Sequence, residues 1–193
     1  GNLGDISTLS FFGNKIITTG EGGMVLTNNH SIYLKLLQLR NQGNSDTIRY
    51  YHDFVGYNYR MTNIQAAIGV AQMSRIDSIL ERKRQIQFWY EENLRDFVIF
   101  QEIDKDLISS YWMVSFILPL SVSRDSLMLS LKANGIETRP FFKPISSMPY
   151  FKSINNTNAE KLSKSGISMP SYPELTFEDV SYICKKLIEY LKK

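Results

Sequence analysis

The sequence predicts an α/β protein of two lobes, and three observations carry that reading. Residues 6–27 are rich in β-branched and aromatic side chains broken by turns, and apolar residues recur at helical spacing from Ile64 to about Asn93. Beyond Arg95 the chain follows a strand, helix, strand rhythm, which places a lobe boundary near residue 95 and gives lobes of 1–95 and 96–193. With 43% hydrophobic and 21% charged residues, and only 11 Gly and 6 Pro in 193 residues, the composition is that of a chain that buries a core.

Taken in order, "ISTLSFF", "KIITT" and "GMVLTN" read as strand segments, with "GEGG" as the turn of a hairpin between the last two. Ile32, Leu34, Leu36, Leu37 and Leu39 predict a short helix from Ser31 that ends near Asn41 and Gly43, followed by a polar loop. Thr62-Asn63-Ile64-Gln65 has the form of a capping box, in which a hydroxyl and a carboxamide satisfy free amides at a helix start. One long helix is expected from there to Asn93, linking the lobes, and Ala66, Ala67, Gly69 and Ala71 leave room for a neighbour on it. Strands are expected at "FVIF", "YWMVSFILP" and "IETR", with a helix from Arg124 to Asn134 that Ser123 starts and Gly135 stops. A loop rich in proline and aromatics runs from Pro140 to about Asn158. The chain then closes on a helix capped by Thr176 and Asp179, with Val180, Ile183, Leu187 and Leu191 on one face.

Several function classes are excluded. A net charge of +3 with dispersed basic residues is too sparse for a nucleic-acid footprint, and "ERKR" at residues 81–84 reads as a solvated helix face. No segment has the apolar length of a membrane span and no charged-then-apolar leader follows Gly1, so a cytoplasmic protein is expected. The single cysteine, Cys184, sits in an amphipathic pattern and reads as a buried, inert thiol. An opening on Gly1-Asn2-Leu3-Gly4, with no methionine and dense motifs at once, reads as a piece of a longer protein.

The chemistry concentrates at Lys15. A free lysine amine titrates near 10.4, so at neutral pH it is protonated and attacks a carbonyl poorly. Burial or a neighbouring cation lowers that value, which suits lysine to Schiff bases with carbonyl groups. An exposed strand lysine is the ordinary alternative. Around Lys15, Ser10 offers a hydroxyl and Gly20, Gly22 and Gly23 permit close backbone approach, so a cofactor has room here. The lysine precedes the glycines, unlike a phosphate-binding P-loop, and the dinucleotide fingerprint is absent.

The segment "SFFGNKIITTGEGGMV" closely resembles the cofactor-lysine segment of the DegT/DnrJ/StrS sugar aminotransferases. "HDFVGYNYRMTNIQAAIGVAQMSRID" resembles the family's second hallmark, and "GIETRPFFKP" and "GISMPSYPELT" resemble its C-terminal segments. The resemblance implies the fold of aspartate aminotransferases (fold type I): a large α/β domain around a mostly parallel sheet, then a small α/β domain. It implies that Lys15 bonds pyridoxal 5'-phosphate and moves a proton between donor carbon and cofactor, and that Ser10 contacts the cofactor phosphate. Asn58 would reach the phosphate bound in the partner of a homodimer whose active sites are shared. Some relatives that remove a hydroxyl carry histidine in place of this lysine, so its presence favours transamination.

The "TRPFF" segment is most similar to members that aminate a nucleotide-linked 4-keto-6-deoxy sugar, with glutamate as the expected amino donor. His52 and Arg139 are candidates for substrate contact; the plainer alternatives are a local hydrogen bond for His52 and a carboxylate partner for Arg139. The family's acid beside the pyridine nitrogen, and its main phosphate loop, precede the lysine, and Asp5 stands in the wrong context for that acid. The chain therefore reads as the remnant of the large domain plus the small domain, inactive alone. The other reading is a non-catalytic interaction module that keeps the scaffold.

Overall fold

The computed structural model describes residues 3–151 and 157–192. The chain divides into two compact units, Gly1–Ile76 and Asp77–Lys193.

In the first unit, β1 (Ser7–Ser10) pairs antiparallel with β2 (Gly23–Leu26), Ser7 opposite Leu26 and Ser10 opposite Gly23. The hairpin thus joins the first and third predicted strand segments. "KIITT" is not a strand: its polar groups are spent closing the loop between β1 and β2. Helix α1 (His30–Arg40) starts at Asn29, whose side chain accepts from the amides of Ser31 and Ile32. It stops where Gln42 and Gly43 turn left-handed, at φ of 63° and 65°, and Gly43 N–H bonds the Gln38 carbonyl at 2.9 Å. Residues 41–44 then pair with 52–58 through bridges between Asn41 and Asn58 and between Asn44 and His52.

Helix α2 (Asn63–Met73) opens on the expected capping box, with both reciprocal bonds between Thr62 and Gln65 formed. The expected single long helix is broken. Ser74 turns its hydroxyl onto the Ala71 carbonyl at 2.9 Å and Arg75 N–H bonds Gln72 three residues back, which ends the α-helical ladder before α3 (Ile76–Leu94) begins. No hydrophobic residue of the first unit is buried among the described residues, and Ile64, Ile68, Val70 and Met73 of α2 are all exposed.

The second unit holds the core. Strands β3 (Ile99–Phe100), β4 (Val114–Ile117), β5 (Arg139–Pro140) and β6 (Gly166–Met169) form an antiparallel sheet in the order β3-β4-β6-β5. Central β6 is buried at every position, and Gly166 is required there because a Cβ would fall 2.2 Å from the Phe141 ring. Helices α3, α4 (Arg124–Ala133) and α6 (Phe177–Leu191) supply Ile86, Tyr90, Leu94, Leu127, Leu131, Val180, Ile183 and Leu187 to one cluster with Val114, Phe116 and Ile167. Because α3 buries its apolar stripe in this cluster, the chain divides between Ile76 and Asp77, whereas the sequence set the boundary near residue 95.

Ser123 and Thr176 cap α4 and α6 as expected, and Gly135 ends α4 at φ 77°. Helix α5 (Thr157–Ser165) and strand β6 arise where a loop and an unassigned stretch were expected; residues 152–156 of that loop lie outside the described residues. No helix of the described residues is long and apolar enough to cross a membrane.

The "ERKR" stretch is not simply a solvated face. Lys83 is 5% exposed and donates to the Trp112 carbonyl at 2.9 Å, the Ser171 hydroxyl at 2.9 Å and the Ser171 carbonyl. Arg82 donates to the carbonyls of Pro173 and Leu175, and Tyr90 to that of Pro170. Pro170 and Pro173 keep residues 170–175 out of a β-ladder, so α3 side chains satisfy the carbonyls instead.

Burial lowers the Lys83 amine from its ordinary 10.5 to about 8 and pushes the Cys184 thiol from 9.0 up to about 12. Burial, followed by the Cys184, Tyr172 and Asp179 charges, also raises the Tyr90 phenol. Between pH 8 and 10.5 the unfolded chain holds a Lys83 proton that the folded chain has released, so stability rises with pH; Cys184 and Tyr90 act oppositely above their ordinary values. Urea denaturation is therefore expected to show stability rising from pH 8 to 9, on the order of 0.5 kcal/mol, and falling above pH 10. Lys83→Met should remove the rise and keep the fall.

Candidate active site

The first unit carries four of the five candidate residues. Ser10 ends β1 and is exposed, its Oγ accepting a long bond of 3.4 Å from Phe12 N–H. The next twelve residues leave the hairpin and return to it as a closed loop. Phe11 N–H donates to the Gly22 carbonyl at 2.9 Å, and the Phe11 carbonyl accepts from Thr19 N–H and the Thr18 hydroxyl, each at 3.0 Å. Within the loop, Lys15 N–H bonds the Phe12 carbonyl at 3.0 Å and makes a tight turn, from which the half-buried lysine projects.

The glycine-rich return of the loop is shaped by contacts that a side chain would break. Gly22 has φ 151°, and a Cβ there would fall 2.5 Å from Thr19 Oγ1 and 2.9 Å from Met61 Cε. Gly20 also has positive φ, 81°, yet nothing lies within 4 Å of where its Cβ would be. Buried Thr19 donates its hydroxyl to the Glu21 carbonyl at 2.8 Å, and its methyl group faces Gly69 of α2, where a Cβ would come within 3.0 Å. The Gln65 carboxamide donates to the same Glu21 carbonyl at 3.2 Å.

Asn58 and His52 sit on the ribbon that pairs with residues 41–44. Both are exposed, and His52 Nδ1 lies 2.8 Å from the Gln42 carbonyl. That is the local bond expected of a loop histidine. Beside Asn58, the rings of Tyr57 and Tyr59 stack at 5.1 Å. The hairpin side of this unit therefore holds Ser10 at the end of β1 and Lys15 on the loop that follows it, and the paired ribbon holds Asn58 and His52. Arg139 belongs to the second unit, opposite Ser168 in β5, exposed and without a carboxylate at ion-pair distance among the described residues. Sequence reasoning missed Thr19 as a loop organiser and read Gln65 only as a cap; the signal for Gln65 was the capping box itself.

A half-buried lysine on a closed loop, with an exposed serine hydroxyl at the end of the strand before it and a glycine whose side is open within it, is a residue set that suits an aldehyde cofactor with a phosphate arm. The model of the DegT/DnrJ/EryC1/StrS aminotransferase family matches residues 1–188, and the chain belongs to that family. It is 46% identical over 98% of its length to GDP-perosamine synthase of Escherichia coli O157:H7, covering 53% of that protein. To GDP-perosamine synthase of Vibrio cholerae it is 45% identical, covering 98% of this chain and 54% of the other.

Among solved structures, the Escherichia coli GDP-4-keto-6-deoxy-D-mannose-3-dehydratase with bound hydrated PLP superposes with a TM-score of 0.82 at 27% identity. That match covers 97% of this chain and 55% of the other. The fold is thus the C-terminal part of a fold type I enzyme, and pyridoxal 5'-phosphate is the family's cofactor. The chain spans about half the length of the relatives it matches.

Gly20→Ala should cost about 1–2 kcal/mol, the ordinary penalty of left-handed backbone. Gly22→Ala should cost more, because its methyl group also meets Thr19 and Met61. Urea denaturation of the two variants checks the order; equal losses would mean that the Thr19 and Met61 contacts impose nothing.

Proposed function

We propose that the chain is the C-terminal part of a pyridoxal-phosphate-dependent nucleotide-sugar aminotransferase, which aminates a nucleotide-linked 4-keto-6-deoxy sugar with glutamate as donor. The observation that carries this is a lysine on a loop closed by its own backbone, in a chain of the aminotransferase family that is 46% identical to a GDP-perosamine synthase. When bound, the cofactor supplies an electron sink for the donor carbon. This chain's residues supply the rest.

Lys15 is the residue that would hold the cofactor, through Nζ, and whose amine, when free, would carry the proton between the donor carbon and the cofactor. The place of Lys15 on a turn held by its own backbone bond to Phe12 supports this role. The Ser10 hydroxyl, at the end of β1 before that loop, donates to the cofactor phosphate. Asn58 extends from the paired ribbon to the phosphate held by a second copy of the chain, in a homodimer with shared sites. His52 and Arg139 contact substrate: Arg139 with a guanidinium suited to carboxylate or phosphate oxygens, His52 through the edge of its ring that Gln42 does not occupy. A cytoplasmic location, where nucleotide sugars and glutamate are supplied, goes with this reading.

The test uses the protein joined to the upstream segment that completes the length of its relatives, with glutamate and a panel of nucleotide-linked 4-keto sugars. Amino sugar and 2-oxoglutarate should form in equal amounts, and Lys15→Ala should lower turnover by about a hundredfold or more. Unchanged turnover in Lys15→Ala would overturn the assignment. The 193-residue chain alone should be inactive in the same assay.

A further inference from the structure

Helix α2 meets the lysine loop at two positions one turn apart. Gln65 and Gly69 are four residues apart, so they lie on one face of the helix. Gly69 receives the Thr19 methyl group, and Gln65 reaches the Glu21 carbonyl. The Gln65 carboxamide is divided between two tasks. Its Oε1 accepts from Thr62 N–H at 2.9 Å and from the Thr62 hydroxyl at 3.0 Å, completing the helix cap. Its Nε2 donates at 3.2 Å to Glu21, between two of the loop's glycines. The cap therefore fixes the rotamer that presents the amine of the carboxamide to the loop.

We propose that Gln65 is a positioning residue, whose carboxamide ties the start of α2 to the Glu21 carbonyl and so holds the loop that carries Lys15. Its importance for cofactor binding rests on the reading of Lys15 given above; the tether itself does not. The Glu21 carbonyl accepts from Thr19 and from Gln65, one donor inside the loop and one outside it. Without the outside donor, the Glu21 carbonyl keeps the Thr19 hydroxyl alone as its hydrogen-bond donor among the described residues.

Gln65→Glu separates the two tasks. A glutamate at this position still accepts from Thr62 and keeps the capping box, but it has no N–H for Glu21. Thr62→Val does the reverse: it removes the hydroxyl that caps Gln65 N–H but keeps the residue 62 N–H that holds Gln65 Oε1, so the carboxamide stays in place. Hydrogen exchange is measured on the chain without cofactor. In Gln65→Glu, the amides of Phe11, Thr19 and Gly20 should exchange about fivefold faster, the effect of losing one ordinary hydrogen bond, while that of Gln65 keeps its protection. Thr62→Val should speed Gln65 exchange and leave the loop amides near wild type. Loop exchange unchanged in Gln65→Glu overturns the tether.

Titration with pyridoxal phosphate, followed by its visible absorption, separates the tether from the lysine assignment. The Gln65→Glu variant should bind more weakly, again by about fivefold. If Lys15→Ala binds as tightly as wild type, the lysine assignment fails whatever the exchange data show. If the exchange result holds but affinity in Gln65→Glu is unchanged, the positioning role is overturned.

Discussion

The backbone of Phe11 is the constraint on which the candidate site depends. Its N–H and carbonyl both point into the connection between β1 and β2, where they bond Gly22, Thr19 and Thr18. A connection of this length is otherwise free to take many conformations, and each bond that closes it removes some of them. Lys15 sits on the far turn of this closed loop. The order of that loop is then shared with α2, which receives Thr19 at Gly69 and reaches Glu21 through Gln65. A reactive amine needs this kind of support, because a displacement of an ångström or so is enough to spoil a covalent geometry.

The second unit meets a different demand with the same economy of groups. Residues 170–175 follow a fully buried strand but contain two prolines, so their carbonyls lack ladder partners. Tyr90, Lys83 and Arg82 donate to them from one helix. Lys83 is buried with no carboxylate at ion-pair distance among the described residues, and the cost of keeping its charge appears as a lowered amine value, set against bonds to Trp112 and Ser171. The two units thus differ in kind: one is organised by backbone bonds around glycines with its apolar side chains uncovered, the other by a conventional core.

Legibility in the sequence followed the range of the interactions. Helix caps are local, so Thr62, Ser123 and Thr176 announced their helices, and Gly135 announced an end. The lysine motif was legible as a pattern. The conformation of "KIITT" was not, since β-branched residues favour a strand by propensity and only the Phe11 and Gly22 bonds, which span the loop, override it. Strand β6 was missed because "GISM" is short and buried on both sides, with no alternation to read. Lys83 looked like one charge in a charged run, because its acceptors lie 29 and 88 residues away. For the same reason Gln65 showed its cap, three residues off, and not its bond to Glu21.

The proposed function requires that the amine on the closed loop is the one that takes the cofactor. Peptide mapping after incubation with pyridoxal phosphate and borohydride addresses it without any sugar substrate. The predicted result is a single fixed cofactor on Lys15. A label confined to any other lysine, such as Lys35 or Lys143, would contradict it.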